Sequence, residues 1–79
     1  MSHSETALSL VLDTFASVFP NTKILPDSDF FDLGGDSLDL VTLCDRLERL
    51  SGCELHPSSL LYHPTVSELA AELTTRMSE

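Results

Sequence analysis

The sequence predicts an all-α fold: three main helices and one short one, with a long loop after the first. Three observations point there. Apolar residues recur at intervals of three and four along three separate stretches of the chain. Leu and Ala dominate the apolar set and favour helices over strands. Breakers fall between the periodic stretches, at Pro20-Asn21, Gly34-Gly35, Ser51-Gly52 and His63-Pro64. A chain of 79 residues makes one domain, residues 1–79, with little core to spare and no room for the deep pocket of an ordinary enzyme.

The first helix is expected over roughly residues 5–18, capped by Ser2 or Ser4 and with Glu5 in its first turn. Leu8, Val11, Leu12, Phe15, Val18 and Phe19 form its apolar stripe. Residues 20–36 hold two Pro and two Gly and so form no regular element. Ile24, Leu25, Phe30, Phe31 and Leu33 are expected to pin this segment to the core, as a long ordered loop of the kind that often carries function.

The second helix is expected from about Ser37 to Leu50. Leu40, Leu43, Cys44, Leu47 and Leu50 line its inner face, and Gly52 is placed to end it in a left-handed conformation. With that face inward, Leu38, Val41, Thr42, Asp45 and Glu48 fall outward or to the flank. His56 to Tyr62 reads as one short helical turn opened by Pro57. Thr65-Val66-Ser67-Glu68 is a capping box for a last helix, with Thr65 as cap and Glu68 reaching back. Val66, Leu69, Ala70 and Leu73 are that helix's buried stripe, and it ends near Arg76.

Charge narrows the function classes. Four basic residues against 13 acidic ones leave a net charge of −9. Nucleic acid and anionic membrane surfaces need Lys and Arg, so both are excluded as partners. No apolar run approaches the roughly 18 residues of a membrane span, and the N-terminus lacks a secretory pattern. Two cysteines, Cys44 and Cys53, are no disulfide scaffold: the first belongs to a core stripe, the second to a loop. We therefore expect a cytoplasmic, monomeric protein. The start at Met and the end just beyond the last helix fit a free-standing chain.

The segment that carries chemistry is Asp32-Leu33-Gly34-Gly35-Asp36-Ser37-Leu38-Asp39-Leu40. The two glycines free the backbone and strip side-chain bulk from the approach to a helix. Asp36 is a good N-cap. Ser37 then falls in the first helical turn beside unpaired amides, where a phosphate is favoured and a modifying enzyme can come close. Alone, the stretch equally describes a plain helix cap after a Gly-Gly turn.

Its context separates the two. Phe30-Phe31-Asp32-Leu33-Gly34-Gly35-Asp36-Ser37-Leu38, followed by Arg46-Leu47 and then by His63-Pro64-Thr65-Val66 with Glu68-Leu69-Ala70, resembles the phosphopantetheine-dependent acyl and peptidyl carrier family. The resemblance runs from the first helix to the last. It implies a four-helix carrier bundle with the modified serine opening the second helix. Ser37 matches that serine, with Gly35 and Asp36 beside it. The implied cofactor is 4'-phosphopantetheine, attached covalently from coenzyme A by a phosphopantetheinyl transferase. Its thiol holds acyl or aminoacyl groups as thioesters. The carrier itself is then no enzyme: adenylating, acyl-transferring, condensing and tailoring enzymes do the chemistry. Leu38, Asp39, Val41, Thr42, Asp45 and Glu48 would form the docking face, a small apolar contact ringed by acids.

Leu33-Gly34-Gly35 resembles the carriers of nonribosomal peptide synthesis, whereas Asp36-Ser37-Leu38-Asp39 resembles acyl carriers of polyketide or fatty-acid systems. A carrier of secondary-metabolite biosynthesis reconciles them; a fatty-acid-type carrier is the alternative, and a helical adaptor without a prosthetic group is the rival of another class. Gly35-Asp36-Ser37-Leu38 also spells the motif of a serine lipase and esterase family. That family needs an Asp three residues before a His, and no Asp here has one. Cys44, Cys53, His56 and His63 fit no zinc spacing. A calcium loop begun at Asp27 would need Gly at Asp32 and Glu at Leu38.

Overall fold

A computed structural model describes residues 3–78. Within them the chain forms four helices: α1 (His3–Val18), α2 (Ser37–Ser51), α3 (Ser58–Tyr62) and α4 (Val66–Met77). α1 packs chiefly on α4 and α2, while α3 touches α4. The core gathers Val11 and Phe15 from α1, Phe30 from the first loop, Leu43 and Leu47 from α2, Leu60 from α3, and Val66, Leu69 and Leu73 from α4.

α1 is helical from His3, so Ser4 lies within it rather than capping it; Ser2 lies outside the described residues. Its deepest side chains are Ala7, Val11, Thr14 and Phe15, with Leu8, Leu12, Val18 and Phe19 half-buried around them. Thr14 can be buried because its hydroxyl donates to the Leu10 carbonyl at 2.6 Å.

α2 buries Leu43, Cys44 and Leu47 as its spacing requires, and Leu40 is half-buried. Leu50 departs from the expected stripe and is 57% exposed. The last turn of α2 leaves it on the lip of an open groove against α1, shared with Asp13, Thr14 and Ser17. Gly52 ends the helix at φ 72°, donating its amide to the Glu48 carbonyl at 2.8 Å.

The loop between α1 and α2 is held by one ring and several backbone bonds. Phe30 is fully buried and meets the Phe15 and Phe19 rings edge-on. Its amide donates to the Pro64 carbonyl at 2.8 Å, and the Val66 and Ser67 amides return bonds to Ser28 and Pro26. These stitches order the loop against the start of α4. Phe31 and Leu25, expected in the core, are instead about half exposed. Asp29 accepts the Phe31 and Asp32 amides on one carboxylate oxygen, a turn that faces Phe30 inward and carries Phe31 to the surface.

α3 is opened by Pro57 and buries Ser59 and Leu60. At the head of α4, Thr65 accepts the Glu68 amide at 3.2 Å. The return bond of the expected capping box is altered: Thr65 Oγ1 donates to Glu68 Oε1 at 2.8 Å, so Glu68 meets the hydroxyl. Val66, Leu69, Ala70 and Leu73 are all buried, and Glu72 ties Arg76 to α4 at 3.0 Å.

Candidate functional site

The approach to Ser37 is a tight descent of backbone. Gly34 takes φ 89°, a left-handed angle that side chains other than glycine adopt only with strain. The Gly34 and Gly35 amides donate to the Phe31 and Phe30 carbonyls. A Cβ on Gly34 would meet open space, whereas one on Gly35 would fall well inside contact distance of the Phe30 ring. The two glycines are therefore bare for different reasons: Gly34 has its left-handed angle and open space. Gly35 is glycine because Phe30 occupies the space a side chain would need.

Asp36 follows in extended conformation and caps α2. Its Oδ1 accepts the Asp39 amide at 2.9 Å, and Asp39 Oδ2 accepts the Asp36 amide at 3.3 Å. This reciprocal pair is a capping box built from two aspartates. The Asp-x-x-Asp spacing is visible in the sequence, where Asp39 is expected on the docking face; the structure also gives it this capping role. The box also qualifies the field expected at Ser37. One amide of the first turn, that of Asp39, is already taken by the Asp36 carboxylate. The amides of Ser37 and Leu38 stay without intrahelical acceptors, as the first amides of any helix do.

Ser37 is the first residue of α2 and is exposed. Next to it, Leu38 is 74% and Val41 54% exposed, large apolar side chains in contact with water. Thr42 is half-buried and Asp45 exposed, with Asp45 paired to Arg49 at 3.3 Å. Arg46 turns from this face and donates to Ser17 Oγ at 2.9 Å, joining α2 to α1. Glu48, expected outward or to the flank, takes the flank. It is half-buried, and its Oε2 accepts the Leu55 amide at 2.9 Å. No sequence signal marks that bond, because it spans seven residues across the left-handed turn at Gly52.

Cys44 is 4% exposed on the inner face of α2. Burial, and secondarily the Glu48 carboxylate, push its thiol up from 9.0 to about 11, so it is an inert core residue at neutral pH. Cys53 is a half-buried loop thiol whose amide donates to Ser51 Oγ. His63 closes α3 and meets Glu72 at 3.8 Å. Cys44 thus lies in the core, Cys53 and His63 have separate local partners and His56 is exposed, and among the described residues no three of His, Cys, Asp or Glu converge.

Residues 9–73 match the protein family described as "Phosphopantetheine attachment site". The chain is 38% identical over 69 residues to a dimodular nonribosomal peptide synthase of Bacillus subtilis; that match covers 87% of this chain and 3% of the synthase. Among solved structures, a nonribosomal PCP domain is 38% identical, with TM-score 0.66 over 90% of this chain and 87% of that one. BlmI, a type-II acyl carrier protein of Streptomyces verticillus involved in bleomycin biosynthesis, superposes with TM-score 0.84 at 24% identity. That similarity covers 91% of this chain and 87% of BlmI and concerns the fold.

Proposed function

Because this chain belongs to the phosphopantetheine attachment site family of carrier domains, whose members hold a covalent 4'-phosphopantetheine and leave catalysis to separate enzymes, we propose that Ser37 is its attachment residue. The arm's thiol takes acyl or aminoacyl groups as thioesters, and residues 1–79 act as one carrier domain presenting them to partners. The pathway class is nonribosomal peptide or polyketide biosynthesis. The partners are a phosphopantetheinyl transferase, an adenylating or acyl-transferring enzyme, and condensing or tailoring enzymes. The protein works in the cytoplasm as a monomer.

The observation that carries this reading is the placement of Ser37. It is an exposed hydroxyl at the first position of α2, directly after the Gly34-Gly35-Asp36 descent, and it falls inside the matched span. The residues around it suit a phosphodiester. Gly34 is open, and the Ser37 and Leu38 amides are oriented at a helix start. What this chain supplies is an anchor, a rigid cap holding that anchor at the helix start, and an adjoining surface. Leu38 and Val41 with Asp45 give that surface an apolar centre and an acidic edge. Among the described residues no helix is long and apolar enough to cross a membrane.

The test is an intact mass after incubation with coenzyme A and a promiscuous phosphopantetheinyl transferase. Wild type gains one phosphopantetheine and Ser37→Ala gains none. A wild type that stays unmodified, or a Ser37→Ala chain that is modified, overturns the assignment.

A further inference from the structure

The segment between α2 and α4 contains α3, a helix of only five residues. So short an element has little stability of its own, and its position must come from what holds it. Leu55 and Leu60 fix it on the apolar side, at 2% and 0% exposure. On the polar side one residue of α2 catches the departing chain twice. The Glu48 carbonyl accepts the Gly52 amide at 2.8 Å, and the Glu48 carboxylate accepts the Leu55 amide at 2.9 Å.

The second bond answers a local need. Leu55 must be buried to reach the core, and its amide is carried inward with it. An N–H drawn out of water without an acceptor is destabilising. A side chain of α2 long enough to cross the Gly52 turn can supply that acceptor, and Glu48 does. Glu48 follows the buried Cys44 by one helical turn, which puts the two on the same side of α2, and Glu48 is half-buried there.

We propose that Glu48 is a positioning residue: its carboxylate holds the Gly52–Leu55 turn, and through it α3, and it is not a charge read by partner enzymes. The consequence for partner recognition rests on the carrier assignment; the structural half does not. The acidic edge beside Ser37 then consists of Asp36, Asp39 and Asp45, and Glu48 contributes acceptor geometry alone.

Two variants separate the roles. Glu48→Gln keeps an acceptor oxygen at the same reach and removes the charge; Glu48→Ala removes both. In amide hydrogen exchange by NMR, Glu48→Gln keeps Leu55 within about threefold of wild-type protection. Glu48→Ala raises its exchange at least tenfold and shifts the resonances of residues 58–62, with α1 and α4 unchanged. In the coenzyme A-dependent modification assay, Glu48→Gln proceeds within twofold of wild type at low and high salt.

The proposal is overturned if Glu48→Ala leaves Leu55 protected. It is equally overturned if Glu48→Gln keeps α3 in place yet slows modification several-fold at low salt, which would make Glu48 a recognised charge. A wild type that takes no arm sinks the carrier assignment, while the exchange experiment still decides the role of Glu48.

Discussion

Gly35 and Cys44 show how single residues in this chain are fixed by what they touch. Gly35 has no left-handed angle to explain it; the Phe30 ring does, lying where a Cβ would stand. Gly35→Ala should therefore lower stability by about 1–3 kcal/mol, the usual cost of overpacking a filled site. In urea unfolding, Phe30→Leu combined with Gly35→Ala should cost less than the sum of the two changes, because the smaller side chain vacates that space. Strict additivity would mean that the ring is not what excludes a side chain. Cys44 makes a pH prediction. Its folded pKa, about 11, exceeds the ordinary 9.0 of an unfolded chain. The stabilisation this gives is whole below pH 9 and is lost as pH rises toward 11, since the unfolded thiol ionises first. At about 1.36 kcal/mol per unit the loss is on the order of 2–3 kcal/mol. Unfolding free energies of wild type and Cys44→Ala, compared from neutral pH to about 11, should show the extra alkaline loss only in wild type. Parallel profiles would rule out the linkage.

α2 and α4 were legible from the chain because each is written twice, in its apolar spacing and in its end residues, whereas α1 was marked by spacing alone and α3 by Pro57. Asp36, Gly52, Pro57 and Thr65 stand at the boundaries that their chemistry dictates, and the α4 stripe is buried residue for residue. What spacing could not show is where the core stops. Leu50 continues the α2 period but stands on the lip of a groove against α1. Phe31 and Leu25 lie in a loop, where no period says which of two neighbours turns inward, and the Asp29 turn decides it. Ser37 stands out as the candidate attachment residue because its neighbours form a contiguous motif. The surroundings of Ser37 were less legible: the Gly35–Phe30 contact and the Glu48–Leu55 bond depend on chain reversals that bring distant backbone together. The aspartate capping box is the exception, a local feature whose Asp-x-x-Asp spacing is present in the sequence.

For the molecule as a whole, the governing quantities are a net charge of −9 and the position of its exposed apolar residues. Few cations are left to oppose the acids: Arg49 is paired with Asp45, Arg76 with Glu72, and Arg46 is turned toward Ser17. A surface of this sign draws basic partners at a distance, and salt weakens the attraction by screening it. On the proposed docking face, close contact would fall to Leu38 and Val41, which face water near Ser37 and contribute little to folding from there. Leu38→Glu and Val41→Glu should accordingly change unfolding free energy by no more than about 0.5 kcal/mol, as surface substitutions do. Both should slow transfer of the arm or of a cargo by about tenfold or more, since burying a carboxylate in an apolar contact is costly. The added negative charge alone would strengthen long-range attraction to a basic partner, so charge and contact push in opposite directions and the measured sign separates them. Rates for wild type and both variants across ionic strength provide the check. Wild type should slow steadily with salt, and the variants should stay slower at every concentration. Folded variants that match or outpace wild type would place the docking contact elsewhere on the surface.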